Sequence, residues 1–398
     1  MREIPLCLTL AILAGTAVLA GCGGRAYVYE AVERSDFRER AESQSDARVQ
    51  VSAAVLGREE TTAVFGIDLY KQGIQPVWME IRNSTNSLAR YAVVSTDRYY
   101  FSPLEVAYKN RGGYSDEGRS EMEERFNKLA MPRYVDPGES RSGFVFTHIA
   151  AGAKGFNVDV FGSGAPSSFT FLLRVPGFVP DYANFDAASI YSAEELTAYD
   201  DEQVVDALRA MPCCSTDQSG DTAGEPVNIM LVGSGPELLK ALLRSGWIET
   251  SAKEAAEQQP QFLFGRMQDA IFRYKSSAGD SLYEIRFWLA PMLYGQDRVW
   301  LGQIKHFYVL GGSLRRFDPD VDSARNFAMQ KFLYGQALQS IGWLAGKAVV
   351  PAESFLERLI NTPYFTDGYR LVLWLSAEPL SVANIDVKDW DLPPRWGL

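Results

Sequence analysis

The chain opens on an apolar run, Leu6 to Ala20, set behind a single early cation, Arg2, and ended by Gly21-Cys22. A run of that length matches a signal-peptide core and falls short of the ~20 residues a membrane-spanning helix needs. The pattern then turns polar, with Glu33, Arg34, Asp36, Arg38, Glu39, Arg40 and Glu42 of mixed sign. The expectation for 22–48 is a solvated tether, with room for a short helix around Tyr29 to Ala41. From Val49 the period becomes two: Val49, Val51, Ala53 and Val55 alternate with polar neighbours. Val77 to Arg82 is a second strand run, closed by the turn chemistry of Asn83-Ser84-Thr85-Asn86. Arg90–Val94, Ser142–His148, Gly155–Phe161 and Ser168–Val175 extend the series, bounded by Gly, Pro or Ser. One helix interrupts it, Asp116–Ala130, with Met122, Phe126 and Leu129 on one face. Short strands with turn signals predict an antiparallel β-sandwich of immunoglobulin-like size over 49–182.

Ser192-Ala193-Glu194-Glu195 reads as a capping box that opens a helix to about Met211, where Pro212 stops it. Residues 212–225, rich in Ser, Gly and Asp, read as a linker, so 183–225 is helix and linker. The remainder, 226–391, alternates strands and helices. Val227–Val232 is a strand and Ser234 opens a helix with Leu238, Leu239, Leu242 and Leu243 buried and Gly246 at its end. Phe262–Phe264, Ala270–Tyr274, Tyr283–Ala290 and Val299–Leu310 are strands. Asp322 caps a long helix through Phe327, Phe332, Leu333, Leu338 and Ile341, and Tyr369–Ser376 is a final strand. That order predicts an α+β domain with a mostly antiparallel sheet, so the fold class is α+β and multidomain, with 392–398 a tail.

The net charge of −11 opposes nucleic-acid binding, which needs a basic surface. It equally opposes a polybasic hold on anionic lipid, and no second apolar stretch reaches membrane length. Of four cysteines, Cys7 lies in the apolar run, Cys22 ends it, and Cys213 and Cys214 are adjacent. An adjacent pair bonds only in a strained ring; it is either a redox or metal site or a loop with two incidental thiols. No second Cys/His cluster completes a zinc tetrahedron.

Asp318, Asp320 and Asp322 place three carboxylates at alternating positions, a spacing that can wrap a hard cation such as Ca²⁺. It is not an EF-hand loop, because Ser323 and Met329 stand where Gly and Glu are needed. The structural alternative has Asp322 capping a helix, Asp318 holding the turn and Arg315 or Arg316 offsetting charge. Gly233-Ser234-Gly235 lacks the ending of a phosphate-binding loop and the spacing of a nucleophile elbow; a helix cap accounts for it. Two histidines exist, His148 and His306. His306 with a loop aspartate is one relay, and Arg266 with Asp269 either lines a groove or braces a turn.

Leu19-Ala20-Gly21-Cys22 resembles the lipobox of bacterial lipoproteins. The resemblance implies that 1–21 is a removed signal peptide and that Cys22 carries acyl chains such as palmitate. Gly23, in place of Asp, implies outer-membrane sorting in a Gram-negative host, facing the periplasm. Gln75-Pro76-Val77-Trp78-Met79-Glu80-Ile81-Arg82-Asn83 is loosely similar to the central strand of accessory domains on bacterial surface proteins. Farther on, Pro226 to Ser234, Ala241-Leu242, Ser245-Gly246-Trp247, Leu263 to Asp269, Arg286 to Pro291, Val299 to Gly302 and Asp318 to Asp322 resemble the successive blocks of the LssY C-terminal domain. Members of that family often carry it behind membrane segments similar to lipid-phosphatase or DedA-type proteins; this chain has none. The expectation is a lipid-anchored envelope protein with a non-enzymatic binding or scaffolding role, an unidentified envelope partner and no cofactor. The alternative is a hydrolase of lipid or phosphoester substrates, metal-assisted through Asp318–Asp322.

Overall fold

The structure, a computed structural model, describes residues 24–32, 36–276, 278–311, 314–346, 349–354 and 363–391. The apolar run, Cys22 and the tail 392–398 lie outside the described residues. The chain is mixed α+β with mostly antiparallel sheets. Among the described residues no helix is long and apolar enough to cross a membrane.

The N-terminal half carries β1 (Glu42–Ser45), β2 (Val49–Val55), β3 (Ile74–Asn83), β4 (Ala89–Ala92), β5 (Tyr134–Val135), β6 (Ser140–His148), β7 (Ala153–Phe161) and β8 (Ser167–Arg174). They form two antiparallel four-stranded sheets, β1-β2-β3-β6 and β5-β4-β7-β8. The period of two explains why they face each other. Val49, Val51, Ala53, Val77, Met79 and Ile81 from one sheet share a core with Phe156, Val158, Val160, Phe169, Phe171 and Leu173 from the other. The first sheet is apolar on its outer face too, through Ala54, Ile74, Trp78, Phe144 and Phe146. Of α1 (Arg58–Phe65), α2 (Val93–Thr96), α3 (Pro103–Asn110) and α4 (Asp116–Leu129), the first and the last two cover that face with Val64, Phe65, Val106, Ala107, Met122 and Phe126.

The segment expected to be a solvated tether is packed from Gly24 onward. Arg25 N donates to Gly113 O (2.9 Å), Ser115 N to Arg25 O (3.1 Å) and Glu30 N to Ala63 O (2.8 Å). Tyr27, Val32 and Phe37 are buried in the helix-side core. Phe37 lies 5.7 Å, centroid to centroid, from both Trp78 and Phe144. The described charges of this segment, Asp36, Arg38, Glu39, Arg40 and Glu42, are exposed, and its few apolar residues follow no regular period.

The C-terminal half carries β9 (Thr197–Tyr199), β10 (Cys214–Thr216), β11 (Ala223–Pro226), β12 (Ile229–Val232), β13 (Ile248–Glu249), β14 (Phe262–Leu263), β15 (Arg266–Met267) and β16 (Ala270–Lys275). It continues with β17 (Ser281–Tyr294), β18 (Asp297–Leu310), β19 (Leu314–Phe317), β20 (Leu338–Leu344), β21 (Arg370–Leu375) and β22 (Asp386–Val387). The main sheet runs β13-β16-β17-β18-β12-β21-β20-β22, with β19 on β18 and β9 on β17. Three of its pairings are parallel, β12 with β21, β20 with β22 and β9 with β17. A smaller antiparallel sheet, β11-β10-β14-β15, lies beside it.

Helices α5 (Val204–Ala210), α6 (Gly235–Arg244), α7 (Ala252–Ala256) and α8 (Val321–Tyr334) complete this half. Leu238, Leu242, Ala328 and Phe332 of α6 and α8 meet Ile229, Leu231, Phe287 and Trp300 on one sheet face. Val204, Ala207 and Leu208 of α5 meet Met230, Trp288, Val372 and Trp374 on the other. Ser234 opens α6 as expected, in a reciprocal cap with Glu237, and Gly246 (φ 83°) ends it in the left-handed region.

Three further expectations are corrected. The Ser192–Met211 helix is only α5: Glu195 Oε2 accepts from Ser192 N (2.8 Å), but Glu195 N turns back to Ser192 O, and 197–199 pair with the free edge of β17 at Met292–Tyr294. The 212–225 linker is the β10–β11 hairpin, with Ser215 and Glu225 buried. Asp320, not Asp322, caps α8, which stops at Tyr334 because Gln336 is left-handed (φ 52°). Leu338 and Ile341, three apart, mimic a helix face but belong to β20.

Replacing Phe37 by Ala tests the strap. Urea unfolding is expected to lose about 3 kcal/mol, as for other buried Phe truncations; a tether residue would give a change near zero.

Candidate functional site

Alternation along β18 puts His306 on the face covered by α8. Its strand partner Tyr283 stacks on the imidazole at 4.4 Å and, on its other side, on Phe327 at 3.7 Å. The edge of Tyr308 approaches at 4.6 Å. His306 Nδ1 lies 2.9 Å from Asp318 Oδ2. Asp318 is itself fixed, its N–H donating to His306 O (2.9 Å) and its Oδ1 accepting from Asp320 N (3.1 Å). The same carboxylate, by accepting a hydrogen bond from the Tyr308 hydroxyl, raises that phenol above its ordinary range. This geometry assigns the neutral ring's proton to Nδ1 and leaves Nε2 as an acceptor. Nε2 is buried and has no hydrogen-bond partner among the described residues.

The three loop carboxylates point to three different tasks. Asp318 orients His306, and Asp320 accepts from Ser323 N (2.9 Å) as the cap of α8. Asp322 accepts from Arg325 Nη1 (3.1 Å), Thr366 Oγ1 (2.8 Å) and Asp367 N (2.6 Å). Arg325, 2 % exposed, also forks onto both oxygens of Asp367 (2.9 and 3.0 Å) and lies 5.0 Å from the Trp343 ring. Burial pushes the Asp322 carboxyl up despite Arg325. Among the described residues no three His, Cys, Asp or Glu side chains gather as a metal-binding group.

Arg266 and Asp269 do meet, as a two-pronged pair, and both reach β17. Asp269 Oδ2 accepts from Leu289 N (2.7 Å) while Arg266 Nη2 donates to Leu289 O (3.0 Å) and Tyr191 Oη (3.3 Å). They supply the strand edge with partners where β16 has ended. Leu289 lies six residues along β17 from Tyr283, the partner of His306, so about 20 Å separates the two sites. His306, Arg266 and Asp269 therefore do not line one pocket.

Cys213 and Cys214 are free and half-buried. Burial, together with the hydrogen bond the Cys214 thiol donates to Cys213, pushes that thiol up to about 12, the opposite of a reactive thiolate. Neighbouring Arg370 is buried and donates to Leu208 O (3.3 Å) and Met211 O (3.1 Å), closing the end of α5.

Three polar sites escaped the sequence reading. Beneath the small sheet, Lys305 Nζ meets Glu225 Oε2 at 2.6 Å and Glu284 binds Arg286 (3.1 Å) and Arg273 (3.2 Å). Burial opposes ionisation of Glu284, but Arg286, Lys305 and Arg273 hold it below the usual range. In the N-terminal half, a cleft of about 590 Å³ is lined by Tyr29, Arg38, Trp78, Arg125, Lys128 and Ser142 among others. Arg125 covers the Tyr29 ring at 4.0 Å and donates to Glu30 O and Val64 O.

The third site is the seam between the halves. Glu249 of β13 accepts from Ala153 N of β7 and from the Tyr182 hydroxyl. Beside it, Asp181 Oδ2 accepts from Ile271 N (2.7 Å) and Oδ1 is buried without a partner. Burial above all, with the charge of Glu249, pushes Asp181 to about 7 against the lowering effect of the Ile271 bond; burial raises Glu249 too. No periodic pattern marks such residues, because the cleft and the seam are assembled from segments far apart in sequence.

No protein-family model matches this chain, and no curated protein matches it either.

The seam predicts a pH dependence. Asp181 holds its proton more tightly folded than unfolded, so stability falls as pH rises from about 4 to 7 and then levels. Asp181→Asn keeps an acceptor for Ile271 N and removes the charge. Its melting curve is expected to lose that slope and to gain about 2 kcal/mol at pH 8, allowing for the part of the carboxyl that water reaches. Unchanged pH dependence in thermal unfolding would contradict the assignment.

Proposed function

We propose that this chain is a lipid-anchored cell-envelope protein, held to the outer membrane on its periplasmic side through acylated Cys22, with a non-enzymatic binding or scaffolding role. The observation that carries the reading is the apolar run ending on Leu19-Ala20-Gly21-Cys22 immediately before the residues where packing begins. Acyl chains contribute about 0.8 kcal/mol per buried CH₂, so two or three on one residue hold a net-acidic protein against its own charge. The scaffolding role is supported by the engagement of the candidate side chains. Asp320 and Asp322 are committed to a cap and a buried Arg fork, and Arg266 with Asp269 to a strand edge. The cationic and aromatic cleft of Arg38, Arg125, Lys128, Tyr29 and Trp78 offers an unidentified envelope partner a surface. Two sheets sharing one core support reading 49–182 as an immunoglobulin-like β-sandwich, and the likeness of 226–391 to the LssY C-terminal domain belongs to the same proposal.

Metabolic labelling tests it. Labelled palmitate is expected to enter the full-length protein, and Cys22→Ala is expected to abolish the label and move the protein to the soluble fraction. Unlabelled wild-type protein would end this reading.

One observation favours a second reading, a hydrolase of lipid or phosphoester substrates. His306 Nε2 is a buried acceptor backed by Asp318, the arrangement of a general base. On that reading the purified protein turns over such esters and His306→Gln slows it by at least ~100-fold. Equal rates in the two proteins would remove it.

A further inference from the structure

The point where the chain enters the fold is fixed closely. Gly24 lies so tight against the loop before α4 that a Cβ there would come within 2.4 Å of Ser115 N and Tyr114 C. Arg25 then bridges the same loop in both directions, to Gly113 O and from Ser115 N, and its guanidinium lies 4.0 Å over the Tyr114 ring. Two residue steps separate Cys22 from Gly24, about 7 Å fully extended. The headgroup layer on each side of a bilayer is of similar depth, about 5–7 Å. A leash that short cannot stand the fold off the membrane. It holds the Arg111–Ser115 loop at the bilayer surface.

The surface next to that loop has matching chemistry. On α3, Val106 and Ala107 face the core, whereas Leu104 is 53 % and Tyr108 60 % exposed. They are four residues apart and share a helix face, and Arg111 continues the stripe, its guanidinium 3.8 Å over the Tyr108 ring. Gly112 and Gly113 follow with no side chains to obstruct an approach. A tyrosine ring with an apolar body and a polar tip, a leucine and phosphate-seeking arginines are the side chains of a membrane–water interface. Charge alone does not bring this face to lipid. Lys109 is paired with Glu105 (3.0 Å), Arg119 with Asp116 (3.2 Å), and Glu117 is exposed nearby. The acyl anchor supplies the proximity, and Leu104, Tyr108, Arg25 and Arg111 fit the headgroup layer once there.

We infer that the end of α3 and the loop after it, presenting Leu104, Tyr108 and Arg111 beside Arg25, seat in the headgroup layer of the bilayer that holds Cys22. This inference rests on the acylation of Cys22 proposed above. It names a bilayer, not a protein, as the occupant of this face.

A nitroxide at Tyr108→Cys, in full-length protein processed in cells, reports on it. Cys213→Ser and Cys214→Ser remove the other thiols, and the protein is reconstituted in phosphatidylethanolamine–phosphatidylglycerol vesicles. A second sample carries the label at Tyr334→Cys, a position 84 % exposed at the end of α8. At 108, collisions with dissolved oxygen are expected to exceed those with a water-soluble nickel chelate several-fold; at 334 the order is reversed. A chelate-accessible label at 108 in palmitoylated protein overturns the inference and leaves the anchor standing. A label at 108 shielded from both collision partners marks a protein occupant and also overturns it. Protein that carries no palmitate and fails to float with the vesicles overturns the anchor and this inference together.

Discussion

The pairing of β17 with β18 is the constraint on which the C-terminal half depends. Two long strands, Ser281–Tyr294 and Asp297–Leu310, join through a short turn at Gly295 and bury both faces over most of their length. One face takes the apolar side of α6 and α8, the other that of α5. Since the side-chain period is two, a one-residue slip would exchange Ile285 and Phe287 for Glu284 and Arg286. The register is therefore held by apolar burial on one face and by apolar burial together with ion pairs on the other. A buried carboxylate such as Glu284 is tolerable only where Arg286, Lys305 and Arg273 surround it. The same ladder places His306 against Tyr283 and offers Leu289 to the Arg266–Asp269 pair.

The N-terminal half uses a different device. Its first sheet is apolar on both faces, so it needs a cover on each. The second sheet provides one, and the α1, α3 and α4 helices with the 24–37 strap provide the other. Phe37 completes the helix side by filling the space between Trp78 and Phe144. A charged stretch thus acts as a structural member because of three apolar residues, Tyr27, Val32 and Phe37.

Strands with strict alternation were legible in the sequence, as was α6, whose cap residues Ser234 and Glu237 and terminal Gly246 make local contacts with local signals. Elements decided by distant partners were not. Thr197–Tyr199 is a strand because β17 has an edge there, and Leu338–Leu344 is a strand because β21 and β22 flank it. At the candidate sites, Arg266 and Asp269 are three apart and could be paired on paper, and His306 was matched to the loop holding Asp318. The divergence of Asp318, Asp320 and Asp322 was hidden, since it depends on Arg325, Thr366 and Asp367 arriving from elsewhere in the chain. Asp181 and Glu249 were hidden for the same reason: each meets its neighbours only when the two halves close.

The clamp on Gly24 bears on how such a protein would mature. An enzyme that cuts before Cys22 or acylates it works two residues from Gly24, which lies tight against the Tyr114–Ser115 backbone once the strap has docked. On the lipoprotein reading, processing therefore precedes docking of residues 24–37, or waits for that strap to peel away. The order of biogenesis would be written into the fold: membrane chemistry first, closure of the helix-side core second.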